Sequence, residues 1–280
     1  MSDAVERHAD QVTYWNGLGG AQWIAQQVQT DAVLEAVAHA LIKAAAPESG
    51  ERLLDIGCGC GSTTLMLAPL AGHVTGLDVS EPMLEVARRR SAGVANIDWV
   101  CADAAAYTAQ RPFDLLFSRF GVMFFGDPMT AFENLRRTLR PGGRLVFACW
   151  RPLVENPWMQ VPLHAAYEHV PRLPKPEPDD PGPFAFADPE RATRVLTGAG
   201  WSAPRFTKLD VTLDIAAGGG LEAAVTQATN IGAASLALRE ASEEVRPAAI
   251  AAIRAALLPY ARGNTVALAG AIWVVSSESY

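Results

Sequence analysis

The chain has 280 residues, half of them apolar and 19% charged, and 23 basic against 30 acidic side chains leave a net charge of −7. That balance supplies no basic surface to neutralise phosphates, which argues against a nucleic-acid partner. No stretch approaches the ~18 consecutive apolar residues of a membrane-crossing helix.

The first residues, MSDAVERHADQ, are too charged for a signal peptide. Cys58, Cys60, Cys101 and Cys149 fall in apolar or glycine-rich runs that suit buried thiols in a reducing compartment. A cytoplasmic protein with no membrane association is expected. Residues 1–46 read as one or two helices with an aromatic cluster at Tyr14, Trp15 and Trp23. Residues 52–56 form a short apolar run that enters the glycine loop 57–61, the signature of a buried strand and tight turn. Apolar residues at helical spacing follow over 62–71, and a second strand over 73–77 ends at Asp78. Ser80 is placed as the N-cap of the next helix, with Pro82 in its first turn. Further strands are predicted at 97–101, ending near Asp103, and at 113–117, ending at Ser118 and Arg119. Asp127 and Pro128 open a helix with Phe132, Leu135 and Leu139 on one face, closed by Pro141-Gly142-Gly143, and residues 144–148 form the fifth strand. Beyond it, residues 171–189 hold seven of the 19 prolines and read as irregular. Residues 206–215 and 266–275 alternate as strands, with alanine-rich helices between them. Strands alternating with helices imply a parallel sheet, whose ligands gather at the carboxyl ends of the strands. The expected fold is therefore α/β: a Rossmann-like, doubly wound, mostly parallel seven-stranded sheet with added helical lid segments.

The loop reads G-x-G-x-G over Gly57, Gly59 and Gly61, whereas a dinucleotide fingerprint needs G-x-G-x-x-G. Asp55, two residues upstream, would repel a pyrophosphate and suits a ligand with a cationic end. Asp78, at the end of the second strand, stands where a carboxylate accepts from both ribose hydroxyls. Asp103 can accept from an exocyclic amine such as that of adenine. The implied ligand is an adenine nucleoside with an amino-acid tail and no phosphates.

With LLDIGCGCG (53–61), GLDVS (76–80), CADA (101–104), FDLLFSRFGVMFF (113–125) and LRPGGRLVFACW (139–150) in order, the chain resembles the class I S-adenosylmethionine-dependent methyltransferases over about residues 50–150. Tyr14-Trp15-Asn16 and Glu155-Asn156-Pro157-Trp158 resemble, more loosely, a bacterial branch acting on small molecules. The resemblance implies S-adenosyl-L-methionine as cofactor. Its methionine part would be held by Asp55 and the loop (Gly57, Cys58, Gly59, Gly61), its ribose by Asp78, and its adenine by Val79, Met83, Asp103 and Ala104. Backbone at Ser118 and Arg119 would line the methionine and sulfonium region. It implies one methyltransferase domain: a helical cover (1–46), a cofactor-binding core (47–150), a linker and lid (151–205), and the last two strands with inserted helices 216–260 (206–280).

The remaining features divide between site and scaffold. Trp15 and Trp23 either close over the sulfonium, where aromatic faces favour a cation, or pack an amphipathic helix. Trp150 and Trp158 either wall the acceptor or cover the sheet edge. His164, His169 and Glu155 are candidate general bases, and Arg119 a candidate holder of a carboxylate-bearing acceptor; no catalytic residue is assigned among them. Cys58-x-Cys60 is too closely spaced for the usual zinc pair, and no metal is expected. The amino-methylating signature N/D-P-P-Y/F is absent after the fourth strand, where Ser118-Arg119-Phe120-Gly121 stands. The reaction expected is methyl transfer by in-line displacement to a small organic acceptor, at oxygen or nitrogen. A non-catalytic sensor or scaffold that binds the same cofactor is the alternative, and its sign would be an acceptor side filled by Trp158, Phe184 and their neighbours. An aminopropyltransferase lacks its acidic motif here, and an NAD-dependent dehydrogenase fails on the loop. Alanine-rich helices offer a surface for a homodimer.

Overall fold

The computed structural model describes residues 3–177, 179–239 and 241–279. Four short helices open the chain: α1 (Asp3–Asn16), α2 (Leu18–Ala25), α3 (Gln27–Val33) and α4 (Glu35–Ala45). The sequence suggests one or two helices here; the chain bends between them at Gly17, Gln26 and Leu34. Gly20 makes the α1–α2 corner possible, because a Cβ there would lie 2.0 Å from the Trp15 carbonyl oxygen.

Strands and helices then alternate through β1 (Arg52–Ile56), α5 (Ser62–Leu67), β2 (His73–Asp78), α6 (Glu81–Arg90), β3 (Ile97–Cys101), β4 (Phe113–Arg119), α7 (Pro128–Arg137) and β5 (Leu139–Trp150). After β5 come α8 (Pro157–Ala166), α9 (Pro189–Gly198), β6 (Arg205–Asp214), α10 (Gly220–Asn230), α11 (Ala233–Arg239), α12 (Arg246–Leu257), the two-residue β7 (Ala261–Arg262) and β8 (Thr265–Glu278). The main sheet runs β3-β2-β1-β4-β5-β8-β6, seven strands as expected, with β7 pairing only with β8 as a short additional hairpin arm. β1 to β5 are parallel, and β8 lies antiparallel between β5 and β6.

The central strands carry continuous apolar runs because helices cover both faces of a parallel sheet; Leu53, Leu54, Leu115, Leu116 and Phe117 are all fully buried. α7 ends at Arg137, one turn before the proline–glycine segment that the sequence suggests as its stop. β5 instead starts at Leu139 opposite Phe113. Its pairing then jumps to Arg144 opposite Leu115, so Pro141-Gly142-Gly143 lies in an irregularity inside the strand. Asp127 caps α7 by accepting from the Thr130 N–H at 3.0 Å.

Strand order reverses between β1 and β4, the switch point at which ligands bind in such sheets. The glycine loop leaves β1 there, held to its neighbour by the Gly57 and Cys58 N–H groups, which donate to the Leu77 carbonyl at 2.8 and 3.2 Å.

Candidate active site

A cleft of about 990 Å³ opens above the carboxyl ends of β1, β2, β3 and β4. Its floor is the glycine loop. Gly57 has φ +64, and a Cβ there would meet the Gly121 backbone at 2.6 Å, so the loop and the turn after β4 touch through two glycines. Gly61 has φ +80 and faces the Trp99 ring, which a Cβ would meet at 2.5 Å. It serves helix packing and does not line the cleft.

Asp78 stands at the centre of one wall. Its carboxylate accepts from the Gly59 N–H at 2.8 Å and the Ser80 N–H at 2.9 Å. Burial raises its pKa, opposed by the backbone hydrogen bonds. Val79, Met83, Asp103 and Ala104 complete that wall, and Cys58 and Gly59 lie beside it. Asp103 also accepts from the Ala105 N–H at 2.9 Å, which fixes the turn that presents it.

Of the expected cofactor residues, Asp55, Gly61 and Ser118 are absent from the cleft surface. Asp55 is buried beneath the loop, where the Thr63 and Thr64 hydroxyls donate to Oδ2 at 2.7 and 2.6 Å, while Oδ1 has no partner. Burial pushes its carboxyl up to about 6. Ser118 is fully buried; it donates to the Ile56 carbonyl at 2.7 Å and accepts from the Gly121 N–H at 3.1 Å, tying β1 to β4. Both residues shape the floor from behind. Burial drives the Cys58 thiol far up and the Cys60 thiol to about 12. Among the described residues no cluster of three metal-ligating side chains exists.

The roof comes from the N-terminal helices. Trp15 and Trp23 both line the cleft, edge to face with centroids 6.2 Å apart. His8 Nε2 reaches Asp103 Oδ2 at 3.4 Å, and Asp31, on α3, reaches Arg90 at 2.8 Å. Arg90 also donates to the Cys60 carbonyl at 2.6 Å. His8, Gln11 and Asp31 carried no sequence signal, since only the docking of α1 and α3 over the sheet brings them here.

A second cavity, about 1330 Å³, adjoins the first and shares Gln11, Trp15, Trp23, Phe120 and Phe124 with it. Its far wall holds Trp150, stacked on Phe120 at 4.2 Å, and Trp158, 5.0 Å from Trp150. Gln227 and Asn230 of α10 complete it opposite Thr30. Gln227 donates to the Thr30 hydroxyl at 3.2 Å and leaves its carbonyl oxygen without a partner. Phe184, expected to fill the acceptor side in a non-catalytic protein, rests against the core and does not line this cavity.

The candidate bases fall elsewhere. His164 and His169 are exposed and line neither cavity, because α8 turns Trp158, Met159, Leu163 and Ala166 inward. Glu155 is bound to Arg151 away from both cavities. Arg119, the candidate holder of an acceptor carboxylate, does reach the cleft. Among the described residues lining the second cavity there is no histidine, cysteine or lysine, and Asp10 is the one carboxylate, exposed at the rim.

A cleft with paired carboxylates at two strand ends, a buried arginine and an aromatic roof fits an adenine nucleoside carrying an amino-acid tail and a sulfonium. Residues 53–143 match the family described as "Methyltransferase domain". Over 108 residues the chain is 41% identical to the demethylmenaquinone methyltransferase of Clavibacter sepedonicus, covering 38% of this chain and 44% of that enzyme. Over 181 residues it is 30% identical to the ubiquinone/menaquinone biosynthesis C-methyltransferase UbiE of Roseobacter denitrificans, covering 59% of this chain and 72% of that one. The chain thus spans less than half of the first relative's length. The crystal structure of the YcgJ protein from Bacillus subtilis shares the fold, with a TM-score of 0.55 over 88% of this chain and 98% of its own at 17% identity.

Proposed function

We propose, for a chain that belongs to the class I S-adenosylmethionine-dependent methyltransferases, that it methylates a small, flat and largely apolar acceptor held in the second cavity, at an oxygen or nitrogen atom. One observation carries this reading. The two chambers adjoin along Gln11, Trp15, Trp23, Phe120 and Phe124, which line both and where we place the throat between them, and only the first holds the carboxylates suited to a nucleoside.

The bound cofactor supplies a methyl carbon already activated for direct displacement. The protein's part is to hold and to exclude. Asp78 would hold the ribose hydroxyls, Val79 and Met83 would flank the adenine, and Asp103 with Ala104 would meet its edge. Trp15 and Trp23 present aromatic faces at the throat, where a sulfonium is favoured. The stacked Trp150–Phe120 pair and Trp158 form an aromatic wall, against which a ring would lie with its nucleophilic atom toward the throat, an orientation that lowers the barrier. The helical roof keeps water from the reacting atoms. With no base inside the cavity among the described residues, the acceptor releases its proton to water at the rim beside Asp10, which favours a readily ionised hydroxyl or a neutral amine. The open acceptor side weighs against a sensor that only binds the cofactor.

Two of the relatives are named as demethylmenaquinone methyltransferase and quinone C-methyltransferase, so transfer to a ring carbon is the second reading.

Calorimetry with S-adenosylhomocysteine on wild type and Asp78→Ala tests the cofactor site. Binding by wild type and its loss in the variant is expected; no binding by wild type, or equal binding by both, overturns the assignment. Incubation with labelled S-adenosylmethionine and ring hydroxyls, ring amines and hydroquinones tests the acceptor. Label on oxygen or nitrogen supports the first reading, label on a ring carbon the second, and label on none opposes both.

A further inference from the structure

We infer that Arg119 binds the α-carboxylate of the cofactor's amino-acid tail, and that Asp31 and Arg90 position it for that contact. The inference rests on the cofactor reading above and assigns one end of that ligand to residues outside the glycine loop.

The Arg119 side chain is only 8% exposed and lines the cleft, as do Cys60, Ser62 and Thr63. A buried guanidinium requires partners for its donors, yet its Nη1 has none. Its nearest carboxylate oxygen, Asp31 Oδ1, lies 3.8 Å from Nη2, beyond hydrogen-bond distance. Asp31 is already neutralised, because Oδ2 accepts from Arg90 at 2.8 Å and from the Gln27 amide. Nη1 therefore keeps free donors for an anion in the cleft, while Asp31 stays at ion-pair distance from Nη2.

Which anion follows from position. Arg119 lines the first chamber and not the second, so a carboxylate on the acceptor lies out of its reach. The groups facing it are Asp31, Asp55 and Arg90. Asp55, with its free Oδ1 beneath the loop, offers negative potential where the ammonium of the same tail would lie. A planar fork such as a guanidinium binds a carboxylate through two parallel hydrogen bonds, a geometry that lysine does not supply. Asp31 enters from α3, so the roof takes part in shaping this end of the site.

The test compares two nucleosides by calorimetry: S-adenosylhomocysteine, which carries the tail, and 5′-methylthioadenosine, which lacks it. In wild type the first should bind more tightly. Arg119→Met is expected to weaken S-adenosylhomocysteine by about tenfold to hundredfold and to leave methylthioadenosine within twofold. Arg119→Lys should recover part of the loss, and Asp31→Asn should narrow the gap between the nucleosides in the same sense. Equal weakening of both ligands, or no weakening of either, overturns the role of Arg119. If neither nucleoside binds wild type, the cofactor reading itself fails. A thermal melt of each variant shows whether the fold is kept, and Arg119→Lys, which retains charge and bulk, decides the matter if Arg119→Met does not fold.

Discussion

The Ser80 hydroxyl donates a 2.7 Å hydrogen bond to the Trp15 carbonyl, joining the loop after β2 to the roof above it. Ser80 holds the N-cap position of α6 but caps nothing with its side chain. The adjoining Asn16 amide donates to the Val79 carbonyl at 2.9 Å, so the α1–α2 corner is fastened to the wall expected to meet adenine and ribose.

Ser80→Ala should therefore loosen the roof without unfolding the sheet. Ser80 is fully buried, and removing a buried donor costs about 1–3 kcal/mol because its acceptor loses a partner. Cofactor affinity should fall several-fold, and acrylamide should quench tryptophan emission more readily. Unchanged quenching and unchanged affinity would show that the corner is held without this bond.

Asp55 should set a pH dependence of stability. Burial places its carboxyl at about 6, against hydrogen bonds from Thr64 and Thr63 that pull it down. A folded-state pKa above the unfolded value means the folded chain binds the proton more tightly. Its contribution is fully present below about pH 4 and is lost as pH rises through about 6. Asp55→Asn removes that loss and keeps an oxygen for the two threonines. At pH 7 the variant should exceed wild type by on the order of 2–3 kcal/mol, the gap closing toward pH 4. Urea unfolding at pH 4, 5.5 and 7 measures it, and a gap independent of pH would refute the ionisation.

His164→Ala, His169→Ala and Glu155→Gln should each keep turnover within about twofold, since exposed substitutions remote from a site rarely exceed about 0.5 kcal/mol. A hundredfold loss in initial rate for any of them would mean that α8 moves during the reaction.

That outcome separates what the chain spells out locally from what it does not. The first three strands match their sequence-derived spans to within a residue because short apolar runs end at turn residues and acidic side chains. The glycine loop and Asp78 were legible for the same reason. His164 was not, because a histidine on a helix is on the inner or outer face according to which other residues face inward, and here Trp158 and Leu163 do. His8, Gln11 and Asp31 were not legible either. They sit far upstream of the loop, and their place depends on how three short helices bend at Gly17 and Gln26.

Gln227 should show a trade between stability and binding. It is 1% exposed, its carbonyl oxygen has no partner, and it faces the second cavity opposite Thr30. A buried polar atom without a partner destabilises the fold by about 1–3 kcal/mol, and such atoms persist where a ligand uses them. Gln227→Leu should then raise the melting temperature and leave S-adenosylhomocysteine affinity unchanged, because Gln227 does not line the first chamber. The KM for an acceptor with a hydroxyl or amine should rise about tenfold. A lower melting temperature with an unchanged KM would mean that the amide is a scaffold group bonded to Thr30, and that the second cavity recognises its ring by shape alone.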